Sequence, residues 1–140
     1  MFTLTLALKT QFNLLVFLNI FMEGGPLFMS LILICLLLSI AFLIIGFSSI
    51  NKSSEKTNKM LKMAVDSSLL GLVIGFLGSV LGLISAFDSV EAMGNPDPAI
   101  FAGGLKVSLL TATFGLFSFV IARIGILILR SGLKIQSKND

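Results

Sequence analysis

Residues 67–87 read SSLLGLVIGFLGSVLGLISAF. The stretch is apolar, long enough to cross a bilayer as a helix, and small residues recur along it: Ser68, Gly71, Gly75, Gly78, Gly82 and Ser85. Steps of three and four residues put this row on one face of a helix. A second row runs down the last apolar stretch as Gly104, Ser108, Thr111, Gly115, Ser118, Ala122 and Gly125. Lipid tails are as apolar as leucine, so helices that associate closely in a bilayer do so through small residues that let their backbones approach. Two helices are therefore expected to pack intimately, against each other or against copies of themselves.

Composition agrees with a membrane chain. Hydrophobic residues make up 56% and charged residues only 12%, with a mean hydropathy of +1.05. A soluble domain has a charged fraction nearer a quarter. Three stretches reach the ~20 residues a bilayer needs: 26–47, 67–87 and 103–129. The fold class is thus all-α, three transmembrane helices preceded by an apolar N-terminal segment. The longest polar stretch, 48–66, is too short to hold a core of its own. The one cysteine, Cys35, lies mid-span and cannot form an intrachain disulfide, and with histidine absent the composition speaks against a metal site or any other cofactor. Paired acids and a nucleophile setting are missing too, so the chain does not read as an enzyme.

Charge orients the spans. Lys52, Lys56, Lys59 and Lys62 crowd the segment 48–66, and Arg130, Lys134 and Lys138 the tail 130–140, whereas Glu23, Asp88, Glu91 and Asp97 fall on the other side with Lys9 and Lys106. The positive-inside rule makes the Lys-rich loop and the tail cytoplasmic and 88–102 an external acidic hairpin. The net charge of +3 is explained by this topology and is no sign of nucleic-acid binding. Gly94-Asn95-Pro96-Asp97-Pro98 is turn chemistry at the hairpin tip. Residues 1–25 lack the basic start and small-residue cleavage site of a signal peptide. They read as an amphipathic helix lying on the outer membrane surface, with Gly24-Gly25-Pro26 ending it.

The spans contain no deep carboxylate. Asp66 and Asp88 sit at the two mouths of the second span, where headgroups and water can solvate them, and Lys106 and Arg123 lie near the ends of the third, placed to snorkel into headgroups. Asp66, Lys106 and Arg123 are the candidate pore-mouth charges. The buried polar groups are the hydroxyls of Ser79, Thr111 and Thr113. Each can return a hydrogen bond to the carbonyl one turn back, or accept one from a partner's carboxyl group. A hydroxyl carries no charge itself, so proton movement here needs an acid from a second chain. The first span is bulky nearly all round and is expected to face lipid.

Three segments resemble the MotA/TolQ/ExbB proton-channel family, nearest its ExbB/TolQ branch. Phe21-Met22-Glu23-Gly24-Gly25-Pro26 resembles the approach to the family's first membrane helix. Residues 74–87, IGFLGSVLGLISAF, resemble its LGLLGTVxGMxxAF segment, with Ser79 at the threonine. Residues 103–116, GGLKVSLLTATFGL, resemble its third-helix GIxxALxTTAxGL segment. The resemblance implies a homo-oligomeric, pentameric ring in the bacterial inner membrane, N-terminus external and C-terminus cytoplasmic. Within it would sit an ExbD/TolR-like single-span partner whose aspartate carries the proton. The ring would act as the stator of a motor driven by the proton motive force, coupled to a TonB-like or other envelope-spanning effector. Ser79, Thr111 and Thr113 would be its pore hydroxyls.

The chain departs from the pattern in several places. A short Lys-rich loop stands where the family has a large cytoplasmic helical domain. Leu72 and Ile121 stand where proline is common, Val107 where the branch has a glutamate, and Ala112 at the second threonine. Two other readings stay open: a non-conducting scaffold ring, and a holin-like small membrane protein. A multidrug-type transporter would need a carboxylate inside the bundle.

Overall fold

A computed structural model of the chain describes every residue except Gly24, Pro96 and Asp140, and every side chain except those three, Phe17 and residues 20–23. Four helices follow in order: α1 Phe2–Glu23, α2 Pro26–Ser49, α3 Ser54–Met93 and α4 Pro98–Asn139. Helices α2, α3 and α4 are long and apolar enough to cross a membrane. At ~1.5 Å per residue, the 40 residues of α3 and the 42 of α4 reach about 60 Å, well beyond a ~30 Å hydrocarbon layer. Both therefore project past the bilayer.

The helix ends follow from local chemistry. Gly25, with φ +82°, precedes Pro26 at the first position of α2, where a missing N–H costs nothing. Ser53 caps α3, its hydroxyl oxygen accepting from the Lys56 N–H at 3.4 Å, and Glu55 lies in the first turn, where its charge complements the helix dipole. Gly94, at φ +71°, ends α3, a conformation that suits a residue without a Cβ. The Asp97 carboxylate then accepts from the Ala99 N–H at 3.1 Å to start α4. The expected external hairpin 88–102 is thus mostly helix, α3 running to Met93 and α4 beginning at Pro98. Likewise most of the loop expected at 48–66 is the first three turns of α3, and the tail is helical to Asn139. The polar ends of α3 carry Lys, Glu and Met and the tail of α4 carries Arg, Lys, Leu and Gln, good helix formers that need no lipid to stay helical.

Helix α3 lies between α2 and α4 in contact. It runs antiparallel to both: a Cβ on Gly71 would meet Cys35 and one on Gly78 would meet Phe28, while Gly82 faces Ser108 and Gly104 faces Ala86. Helix α2 is parallel to α4, with Gly125 against Leu43, Gly46 against Leu129 and Gly132 against Ile50. Two packing regimes result. Toward the loop-and-tail end a bulky core forms from Leu43, Leu61, Ala64, Ile126 and Leu129. Toward the other end α3 and α4 meet through small residues, and Phe28 and Ile32 of α2 pack on the glycines of α3.

The expectation that α2 would only face lipid needs amending. One stripe of it, Met29, Ile32, Cys35, Ser39, Leu43, Gly46 and Ser49, is buried against α3 and α4, while Leu31, Ile34, Leu37, Leu38, Ile44 and Ile45 remain outside. Helix α1 touches α2, and its described side chains through Asn19 are exposed. Its polar residues are spread around the helix: Lys9 and Gln11 fall about 160° apart.

Candidate functional site

The two small-residue rows meet each other inside one chain. A Cβ built on Gly75 would stand 2.9 Å from Cα of Gly115, and one on Gly115 would stand 3.0 Å from Cα of Gly75. That is backbone against backbone, closer than any side chain permits. From this point toward the end of α3 and the start of α4 the rows continue to interlock. Gly78 faces the Thr111 methyl group, Gly82 faces the Ser108 hydroxyl, and Gly104 faces Ala86. Further along α4, Gly125 receives Leu43 of α2, while Ser118 and Ala122 are buried. Gly71 faces Cys35, and Ser68 is 4% exposed. Ser85 differs: it is exposed, lining a cavity of about 320 Å³ with Gly82, Ser89, Gly104 and Val107 at the end of α3 and the start of α4.

The hydroxyls do not converge on one surface. Ser79 is 7% and Thr111 2% exposed, both within the α3–α4 seam near the Gly78 contact. Thr113 lies two residues beyond Thr111, about 160° round the helix, and is exposed. Thr111 donates to the Val107 carbonyl at 3.1 Å, Thr113 to Leu109 at 2.8 Å and Ser108 to Gly104 at 3.1 Å. Each hydroxyl thereby satisfies its proton on its own helix and keeps lone pairs as acceptors. The Ser118 hydroxyl, buried in the seam, has no hydrogen-bond partner among the described residues.

The candidate charges are peripheral. Asp66 and Lys106 are exposed, and Lys106, seven residues before Thr113, shares its outward face. Arg123 is half-buried, its guanidinium 4.8 Å from the centre of the Phe119 ring, with Nε buried and unpartnered among the described residues. A desolvated cation over an aromatic face gains on the order of 1–2 kcal/mol.

Sequence reasoning passed over Ser39 and Phe119. The Ser39 hydroxyl, wholly buried, donates to the Ala64 carbonyl at 3.1 Å and ties α2 to α3. Its signal was present, since Ile32, Ser39 and Gly46 repeat every seven residues in an otherwise bulky span. Phe119 stands four residues before Arg123, a neighbouring position on a helix face.

Three membrane-length helices, joined by short turns and sealed by glycine contacts, define a multi-pass α-helical membrane protein. The model of the MotA/TolQ/ExbB proton channel family matches residues 43–139, which include the end of α2 and all of α3 and α4. The chain belongs to that family. Phe21-Met22-Glu23-Gly24-Gly25-Pro26 lies outside the match, and of it Gly24 and the side chains of residues 21–23 lie outside the described residues. No curated protein and no solved structure matches the chain.

Proposed function

We propose that this chain is the channel-forming subunit of a motor driven by the proton motive force, assembled as a homo-oligomeric, pentameric ring. At the ring's centre sits a single-span partner of the ExbD/TolR type, whose membrane aspartate carries the proton. The observation that carries this reading is the contact of Gly75 with Gly115 in a chain of a proton channel family. With backbones touching there, one protomer leaves no passage between α3 and α4 at that level. A proton path must then run along the outer surface of the pair, between copies or against a partner helix.

The chemistry of such a path is electrostatic. An aspartate in hydrocarbon stays protonated because ionising it there is costly, and it releases its proton only beside water or polar groups. Thr113 offers an acceptor on the outward face of α4, while Ser79 and Thr111 shape the wall behind it. Asp66, Lys106 and Arg123 mark the mouths. The Lys-rich segment 48–66 and the basic tail support an orientation with the N-terminus outside and the C-terminus in the cytoplasm of a bacterial inner membrane, and a TonB-like or other envelope-spanning effector would take up the motion.

The test is proton flux into vesicles holding this chain and its co-purifying partner. Uptake is expected with the intact partner, and its loss when the partner's membrane aspartate is changed to asparagine. A second reading, a non-conducting scaffold ring, is favoured by one feature: Lys106 shares the Thr113 face, where its charge opposes a cation. Absent flux with a stoichiometric partner bound would establish the scaffold. Flux through the chain alone would instead support a holin-like lesion.

A further inference from the structure

At the loop-and-tail end of the bundle, the α2–α3 turn and the last three turns of α4 border an open cavity of about 900 Å³. Three cations line it: Lys52 from the turn, and Arg130 and Lys134 one helical turn apart on α4. None of the three has an ion-pair partner among the described residues, and no acidic side chain among them lines the cavity. Glu55, the nearest acid in sequence, lies in the first turn of α3 outside the lining. Ser53 and Ser54, which begin α3, also face the space, so the positive end of that helix adds to the field.

The floor is different in kind. Ile50, Leu61 and Leu133 line the inner wall and belong to, or pack against, the bulky core of the bundle. The cavity begins where the apolar helix α2 ends at Ser49, and the end of an apolar span of bilayer length is where headgroups are expected. Cations above an apolar floor at that depth match an amphiphile with a negative head. A free anion would have no use for the floor.

We propose that this cavity binds the phosphodiester headgroup of an anionic phospholipid, with Lys52, Arg130 and Lys134 as its ligands. Arginine and lysine are suited to the task, the first through paired N–H donors and the second as a compact charge. Bound lipid would clamp the α2–α3 turn to the end of α4, two elements that already meet where Ile50 packs on Gly132. The proposal does not depend on proton conduction and holds equally for a scaffold ring.

Delipidated full-length protein is titrated with phosphatidylglycerol, with phosphatidylcholine of the same acyl chains, and with inorganic phosphate, and bound species are counted by native mass spectrometry. Phosphatidylglycerol is expected to bind in preference to phosphatidylcholine, and millimolar phosphate is expected to leave it in place. At about fivefold per cation near a headgroup, K52Q/R130Q/K134Q should weaken that binding on the order of a hundredfold. K59Q/K62Q/K138Q removes the same charge outside the cavity and should stay within a few-fold. Should the first triple variant lose helicity, R130Q alone is expected to weaken binding about fivefold. Equal loss in the control variant, no headgroup preference, displacement by phosphate, or no effect of R130Q would each overturn the site.

Discussion

A methyl group on Gly75 would have to occupy space 2.9 Å from the Gly115 backbone. A backbone cannot rotate aside as a side chain can, so the helices must separate along the whole seam. Gly75→Ala is therefore expected to destabilise the bundle by about 1–3 kcal/mol, the usual range for overpacking, read as a lower SDS midpoint in mixed micelles. Gly103→Ala is the contrast. A Cβ there meets nothing within 4 Å, so the variant should be neutral or gain up to about 1 kcal/mol from better helix propensity. Equal loss at both positions would show that the seam is not what glycine serves. Ser39→Ala removes the bond to the Ala64 carbonyl and should cost on the order of 0.6 kcal/mol, the mean for interhelical hydrogen bonds in membranes. The same unfolding assay checks it.

Among the elements, α3 shows best what residue pattern does and does not convey. Its small-residue row was legible because 3.6-residue periodicity survives any tertiary context. Its true start was not, because the Lys-rich segment 48–66 lacks the apolar stripe by which a helix is recognised. The helix there is held by Ser53 and Glu55 at its first turn and by burial of Thr57 and Leu61. Ser53→Ala should cost about 1 kcal/mol at that end. Amide exchange is expected to quicken at 54–57 and to stay unchanged within the span. Uniform quickening through the span would mean that α3 opens as one unit. The α4 tail was equally obscure in the residues, as its polar side chains rest on no expected neighbour until the α2–α3 turn is seen beside it.

For the whole molecule, the decisive fact is that the two small-residue rows meet each other and α2 within one chain, all but Ser85 of the first row being covered. A single copy is closed at Gly75–Gly115, and large apolar side chains such as Phe76, Val80, Leu116 and Phe117 remain exposed on α3 and α4. These are the surfaces left for lipid, for copies and for a partner helix. Gentle extraction and native mass spectrometry are expected to find five copies with one or two copies of a single-span chain. A monomer, or a broad ladder of sizes, would remove the ring from the reading.

Three spans, their positions and the two small-residue faces were determined by the sequence alone. Bilayer thickness fixes the length of an apolar run, and helical geometry fixes which residues share a face. Which faces meet is a different matter, because glycine rows are equally able to pack against each other or against another copy. Only the tertiary structure decided that they pack against each other, that Thr111 lies inside while Thr113 lies outside, and that α2 contributes a buried hydroxyl. It also brought Lys52 beside Arg130 and Lys134, residues almost eighty positions apart that no local period connects.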